Sequence, residues 1–154
     1  MKKDGIDVKR VGSVDWNKDL DVVFGKKFRK IIAQIIVKGI KDGINISQDI
    51  KGRPFKKLKA STVRAKRAKG QPTKPLIAEG IMKKLPPVKN LSKHAQIEVA
   101  QSRSSIGMYH NEGGSVKGRP PKREWFGVTE KAKENIRRAI GKKVVQVLKK
   151  GYKP

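Results

Sequence analysis

The chain has 154 residues, with 39 Lys and Arg against 13 Asp and Glu, and a net charge of +26 at pH 7. This length allows a single core with appendages and excludes two independent domains of ordinary size. Such a charge on so short a chain causes strong self-repulsion, so we expect a polyanion or acidic neighbouring subunits to compensate it. The absence of cysteine excludes disulfides and thiolate metal sites.

The N-terminal part of the chain predicts an arm followed by a long helix. Residues 1–16 alternate apolar and polar side chains only loosely, which indicates an extended arm or a short strand. From residue 17 to about residue 44, apolar side chains recur at three- and four-residue steps, the pattern of an amphipathic helix. The members of this stripe are Leu20, Phe24, Phe28, Ile31, Ile32, Ile35, Ile36 and Ile40. Its apolar cluster at residues 31–37 is too short to span a bilayer, so we expect no membrane partner.

Residues 51–69 form a basic segment, with nine Lys or Arg and no acidic side chain. We interpret it as a long basic loop and a short helix that begins near Ser61 or Thr62 and is broken by the glycine and prolines of residues 70–75. An isolated charge run is usually a solvated surface. Here the imbalance of the whole chain favours contact with DNA or with an acidic protein. The residues predicted to face that partner are Arg53, Lys56, Lys57, Lys59, Arg64, Lys66 and Arg67.

The second half predicts short elements and then a closing helix. Residues 76–82 suit a short apolar helix. Two β-like runs, residues 95–100 and 104–109, are separated by a hairpin distance. Residues 111–121 hold four glycines and two prolines and predict a loop. From about residue 129 to 150 a second amphipathic pattern predicts a helix, with acidic side chains near its start and lysines near its end, as the helix dipole favours.

Together these elements predict an α+β fold with one domain, residues 17–150, preceded by the arm and followed by a tail at residues 151–154. The N-terminal and C-terminal amphipathic helices should pack together beside a small antiparallel β-sheet around residues 95–110. The apolar stripes of both helices have no other surface to bury against in so short a chain.

The sequence offers little material for catalysis. His94 and His110 lack the four-residue spacing that places two metal ligands on one helix face, and no cysteine completes a zinc site. His110, Asn111 and Glu112 together suggest a metal-dependent nuclease, but neighbouring carboxylates are few, and a loop histidine with local hydrogen bonds is the plainer interpretation. The glycines do not form a phosphate-binding loop. We therefore expect no catalytic residues, no metal and no cofactor.

Four short motifs occur in a recognisable order. GRPFKKL at residues 52–58 is followed by Ser61 and Thr62, and then come LIAEG at 76–80, YHNEGG at 109–114 and RPPKREWFG at 119–127. This order resembles that of the phage virion morphogenesis and tail-completion family, whose members carry similar steps before a closing helix. The resemblance covers residues 17–150.

The resemblance implies a small α+β subunit that assembles into a ring, of sixfold or twelvefold symmetry, at the neck or upper tail of a virion. It implies synthesis in the host cytoplasm, portal, connector or tail-tube proteins as neighbours, and DNA as a non-specific partner in the channel. Trp125 and Phe126 could be core anchors or subunit-contact knobs. The residues expected at the subunit contact are Tyr109, His110, Gly113, Gly114, Arg119, Trp125 and Phe126.

Two other classes remain open at this point. A cellular nucleic-acid-binding protein, such as a ribosome-associated or nucleoid protein, would have the same charge and few aromatic residues. A nuclease would also need a basic surface. Oligomeric state separates the virion protein from the cellular one, because a ring has many times the mass of one subunit.

Overall fold

A computed structural model describes residues 25–80, 82, 84–85, 88–90, 95–99, 102, 104–113 and 120–151. The predicted arm, the first residues of the predicted N-terminal helix and the end of the tail lie outside these residues. Within them the chain is mostly helical. The elements are α1 Lys26–Ile46, α2 Ala60–Ala68, β1 Lys89–Asn90, β2 Ala95–Gln96, α3 Ser104–Glu112 and α4 Glu130–Gly151.

Helix α1 forms where apolar side chains recur at helical spacing, and that face is buried. The buried members are Phe28, Ala33, Ile40 and Ile44. The helix ends at Ser47, which adopts the left-handed conformation with a φ of 57°. The N–H of Gln48 then donates to the carbonyl of Gly43 at 2.9 Å and so satisfies one of the free carbonyls of the last turn. The predicted helix is confirmed from residue 26 onward, and it ends at residue 46 instead of 44.

Helix α4 begins where Thr129 caps it, since Oγ1 of Thr129 accepts a hydrogen bond from the N–H of Ala132 at 3.1 Å. The same two residues lie against Gly39 of α1. A Cβ on Gly39 would stand 2.7 Å from Oγ1 of Thr129 and 3.1 Å from Cβ of Ala132. The helices approach closely because Gly39 has no side chain. The predicted packing of the N-terminal helix against the C-terminal helix is confirmed.

Helix α2 begins one residue earlier than the sequence indicates and ends where the glycine predicts. Gly70 has a φ of 62°. Its N–H donates to the carbonyl of Arg67 at 3.0 Å, and the N–H of Gln71 donates to that of Lys66 at 2.9 Å. This pair of bonds is the Schellman arrangement, for which glycine is the preferred residue. The predicted break after α2 is confirmed.

The predicted hairpin is wrong in its second arm. Strand β2 pairs antiparallel with β1, with Lys89 opposite Gln96 and Asn90 opposite Ala95. The other predicted arm, residues 104–109, is helical and belongs to α3. The described part of the chain therefore holds a two-residue pair of strands where the sequence predicts a larger antiparallel sheet.

The buried face of α3 carries small and polar groups, which explains the error. The carbonyl of Gly107 accepts a hydrogen bond from the indole N–H of Trp125 at 3.0 Å. Oδ1 of Asn111 accepts one from the N–H of Phe126 at 3.1 Å. Met108, in contrast, is 49% exposed. Because a glycine and an amide point inward while apolar side chains point outward, the hydrophobic pattern of this segment does not have helical periodicity.

The predicted apolar helix at residues 76–82 is also wrong over the residues that the structure describes. Leu76 has a φ of 58° and Gly80 a φ of 74°, and both values lie outside the α-helical region. The segment runs as turns and bends through residue 80. Its apolar side chains still reach the core, since Ile77 is 8% exposed.

The core lies between α1, the segment after α2 and the extended segment before α4. Its most buried large side chains include Trp125, which is 2% exposed. Truncating a buried tryptophan to alanine typically costs about 3–5 kcal/mol, so this residue is a principal anchor. The buried cluster consists of Ile40, Ile44, Phe55, Ile77, Met82 and Trp125.

The contact between α1 and α4 makes a prediction about glycine. Gly39→Ala should lower the free energy of unfolding by about 1–2 kcal/mol, because overpacking and loss of the Thr129 cap outweigh the gain in helix propensity. Gly141→Ala is the matched control, since nothing lies within 4 Å of a Cβ added there. It should raise stability by up to about 1 kcal/mol. Urea unfolding of both variants measures the difference, and equal effects would contradict the close approach.

Candidate functional site: a basic surface held by buried polar contacts

The loop before α2 and the helix itself carry five exposed cations, which we call the basic surface. Its members are Lys56, Lys57, Lys59, Arg64 and Arg67. None of them forms an ion pair with a carboxylate in the described part of the chain. The loop leads directly into the helix, so the five charges belong to one continuous unit. Like charges held together repel, and an anionic partner would relieve that repulsion.

Arg53, which the sequence predicts to face a partner, has internal partners. Its Nε lies 2.8 Å from Oδ2 of Asp49, and its own N–H donates to Oδ1 of the same carboxylate at 2.8 Å. Burial alone would raise the pKa of Asp49, but the hydrogen bonds from Arg53 and from the N–H of Lys51 hold that pKa below its usual value. The expectation that no carboxylate neutralises this segment is therefore corrected at Arg53.

Glu124 joins the basic loop to the segment before α4. One of its carboxylate oxygens lies 2.6 Å from Nζ of Lys122, and the other lies 3.5 Å from Nη2 of Arg53 and 3.8 Å from Nζ of Lys51. The hydrogen bond from Lys122 and the surrounding positive charges hold the pKa of Glu124 below its usual value, against the opposing effect of burial. The carbonyl of Glu124 also accepts the N–H of Ile50 at 2.8 Å. A single acidic residue thus fixes both segments of this contact.

Lys66 points into the molecule, so the prediction that it faces a partner is corrected. Its ammonium donates to the carbonyl of Pro72 at 2.8 Å, to that of Lys74 at 3.1 Å and to that of Ile77. These three bonds use all three protons of the group. Burial lowers the pKa of Lys66. Its function within the fold is to hold the segment after α2 in the irregular course that a helix would not allow.

Arg123 is the most deeply buried charge of the described chain, at 3% exposure. Its Nη2 donates to the carbonyl of Lys56 at 3.1 Å, and its Nη1 lies 3.2 Å from Nδ1 of His110. Its backbone N–H donates to the carbonyl of His110 at 2.6 Å. Burial lowers the pKa of Arg123. Through these bonds one guanidinium connects the loop that carries Lys56 to the C-terminal half of α3.

His110 has a defined tautomer in this arrangement. A guanidinium can only donate, so Nδ1 of His110 must accept, and the proton of the neutral ring is on Nε2. Burial and the charge of Arg123 lower the pKa of His110 to about 4. The imidazole is therefore neutral at pH 7. No cluster of three His, Asp or Glu side chains that could hold a metal ion occurs among the described residues.

The residues expected at a subunit contact have different environments in the subunit. Trp125 is a core anchor, packed edge-to-face on Phe126 with ring centroids 5.3 Å apart. Gly113 is enclosed, since a Cβ there would stand 2.5 Å from Cβ of Lys122. Tyr109 is 40% exposed. Gly114 and Arg119 lie outside the described residues. Whether any of them contacts a second subunit stays a prediction.

Two of the predicted motifs meet in space. The motif at residues 109–114 ends α3, and the motif at residues 119–127 runs beside it with hydrogen bonds at Arg123, Trp125 and Phe126. Sequence reasoning did not identify the buried positions of Asp49, Arg123 and Lys66. Asp49 had a signal in its spacing of four residues from Arg53, with a glycine between them at a φ of 79°. The other two had none, because periodicity does not tell where a cation points.

Comparisons with known proteins add no relative to this description. No family model matches the chain, and no match was found among curated proteins or among solved structures. None of the described helices is long and apolar enough to cross a membrane. The resemblance to the tail-completion family therefore rests on the motifs alone.

The neutral state of His110 predicts a specific pH dependence. In the unfolded chain its pKa is near 6.5, and in the fold it is about 4. Between these values the unfolded state binds more protons, so the free energy of unfolding falls as pH falls from about 6.5 toward about 4. His110→Asn keeps an acceptor near the position of Nδ1 but does not titrate, and its stability should change less between pH 7 and pH 5. Glu124 and Asp49 lose their stabilising contributions only below about pH 4.5. Identical pH profiles by urea unfolding would contradict this assignment.

Proposed function

We propose that this chain is a structural protein of a tailed-phage virion that forms an oligomeric ring at the head-to-tail junction through which DNA passes. The observation that carries the proposal is the basic surface: five exposed cations on one loop and helix, without an acidic partner among the described residues. The order of the motifs, which resembles that of tail-completion proteins, supplies the location in the particle. The proposal includes the virion as site of action and portal, connector or tail-tube proteins as neighbours.

The contacts beneath the basic surface support a role in which the charges are held in place. Arg123 fixes the carbonyl of Lys56, and Arg53 is fixed by Asp49. The ammonium of Lys66 holds the segment that follows α2. The loop is therefore tied at several points, and its remaining cations have a fixed support. A fixed support reduces the ordering cost of binding a partner.

Phosphate contact suits a channel for DNA. Attraction between lysine or arginine and phosphate depends on counterion release and does not depend on base sequence. Few aromatic side chains are available for stacking on single strands. A channel lined by many copies of such a surface would attract duplex DNA of any sequence and would not hold it at one site.

The proposal does not assign catalysis, a cofactor or a metal to the chain. Around His110 the described residues provide a cation and a backbone N–H where a metal site would need carboxylates. In the assembled ring we also propose that the short β1–β2 pair is extended into the small antiparallel sheet that an α+β subunit implies. The pair has only two residues per strand in the isolated subunit.

A cellular protein that binds nucleic acid without sequence preference is the second candidate. The same basic surface favours it, because non-specific binding needs the same phosphate contacts. The two candidates differ in assembly: the virion protein forms a ring, whereas the cellular protein binds as a monomer or small oligomer.

Electron microscopy of the particle or complex that contains this chain tests the location. We expect density for a ring of subunits at the junction of head and tail, with the basic surface of each subunit toward the channel or toward an acidic neighbour. A particle that lacks the protein, or a protein that is found only on cellular nucleic acid, would favour the second candidate.

Neutralising the basic surface tests the partner. In Lys56→Gln, Lys57→Gln, Arg64→Gln and Arg67→Gln combined, the logarithmic salt slope of duplex affinity should become shallower by about 0.9 for each phosphate that the variant no longer binds, equally for all sequences. The control removes four exposed lysines from α1 and α4, and its slope should change less. Its positions are Lys27, Lys30, Lys38 and Lys131.

Particle assembly measured beside the salt series distinguishes the partners. An unchanged slope with failed assembly would show that the basic surface meets an acidic protein instead of DNA. If both the slope and assembly were unchanged, the surface would be a solvated one without a partner.

A further inference from the structure

The C-terminal half of α4 has an exposed apolar strip beyond its contact with the core. Val144, Val145 and Leu148 are 39%, 49% and 54% exposed. Together with Gly141 we call them the distal patch. Position 145 lies about 20 Å along the helix from Ala132, which contacts α1. The patch therefore begins where the contact with the core has ended.

The surroundings of the distal patch are basic. Residues 137–150 contain six Lys or Arg and no acidic residue. Lys142 and Lys149 are exposed and, at helical spacing, border the same side of the helix as Val145. A partner for the patch must therefore offer apolar contacts together with negative charge.

A groove with this complementary character lies on another part of the same subunit. It has a volume of about 620 Å³, and α4 contributes none of its lining residues. Met108, Val99 and Phe126 line it beside the buried Trp125. Its lining also includes two carboxylates, Glu98 and Glu112.

The two carboxylates give the groove an unusual local charge for this chain. Acidic residues number 13 of 154, so two at one apolar groove stand out. Glu98 already has a partner within the subunit, since its Oε2 lies 2.9 Å from Nζ of Lys89. That lysine is 58% exposed, so the pair lies at the surface, where a second cation can approach the same carboxylate.

We infer that the distal patch of one copy docks into this groove of a second copy. The apolar side chains of the patch cover Met108 and Phe126, and the lysines that border the patch approach Glu98 and Glu112. Pairing two distal patches with each other would place lysine against lysine, which disfavours a symmetric helix pair. An acidic helix of an unrelated protein would fit the patch but would leave the groove without a role.

A contact of this kind is head-to-tail. Each copy uses its patch on one neighbour and its groove on the other, so a growing chain of copies always has one patch and one groove at its ends. Such contacts generate a ring when the rotation closes, and an open filament when it does not. The contact itself rests on the complementarity of the two surfaces, whereas its closure into a ring rests on the proposed function.

The experiment uses two variants with complementary defects. Leu148→Asp places a charge in the patch, and Met108→Asp places one in the groove; both positions are exposed, so the subunit should still fold. Sedimentation equilibrium of the full chain should show concentration-dependent association for the unaltered protein, weakened by salt. Each variant alone should associate at least about tenfold more weakly, because a charge buried without a partner opposes binding. Ile31→Asp, at 47% exposure on α1, is the control and should associate normally.

Mixing the variants gives the decisive result. A 1:1 mixture of Leu148→Asp and Met108→Asp should form dimers and nothing larger, because the mixture provides only one intact pair of surfaces. A monomeric mixture, or a monomeric unaltered protein at every concentration, would overturn the contact. If the unaltered protein forms large assemblies that neither variant weakens, the contact is wrong while the proposed ring stands. If the contact holds but the assemblies remain open, the proposed ring loses support while the contact stands.

Discussion

The buried guanidinium of Arg123 is the interaction on which the arrangement around the basic surface depends. A buried cation is costly unless its donors find acceptors. No carboxylate of the described chain pairs with it, and its Nε is buried without a hydrogen-bond partner there. The carbonyl of Lys56 and the neutral ring of His110 supply the acceptors instead. Since the two acceptors come from different elements, the loop and α3 must stay together to solvate one charge. The neutral state of His110 is part of this arrangement, because a protonated ring could not accept.

Scarcity of acidic residues shapes the rest of the subunit. Asp49 accepts three hydrogen bonds within its own turn, and Glu124 lies among three cations. These carboxylates stabilise the frame, and they are therefore not available to neutralise the outer face of the loop and α2. Surface ion pairs of this kind contribute little individually, but a network around one carboxylate restricts several segments at once. The unbalanced charge of the chain is consequently displayed outward, where only a partner or counterions can compensate it.

The sequence predicts those parts of the fold in which hydrophobic spacing decides the structure. Helices α1 and α4 have apolar stripes at helical spacing, and Thr129 at the start of α4 and Gly70 at the end of α2 are recognisable boundary signals. Helix α3 could not be predicted in this way, because Gly107 and Asn111 face inward and use hydrogen bonds to a segment 15 to 18 residues away. Tertiary contacts override local preference there. The basic segment was recognised by composition, but composition does not distinguish Lys66, which points inward, from the exposed cation next to it.

The two functional surfaces make different demands on the same charge. Repulsion between basic surfaces opposes bringing copies together, and it grows with each copy added to an assembly. A head-to-tail contact between the distal patch and the acidic groove answers part of this repulsion, because it brings the carboxylates of the groove to lysines of a neighbour. DNA in a channel would answer the remainder by neutralising many copies at once. Assembly and DNA contact are then linked: each makes the other more favourable, since each lowers the electrostatic cost that limits the other.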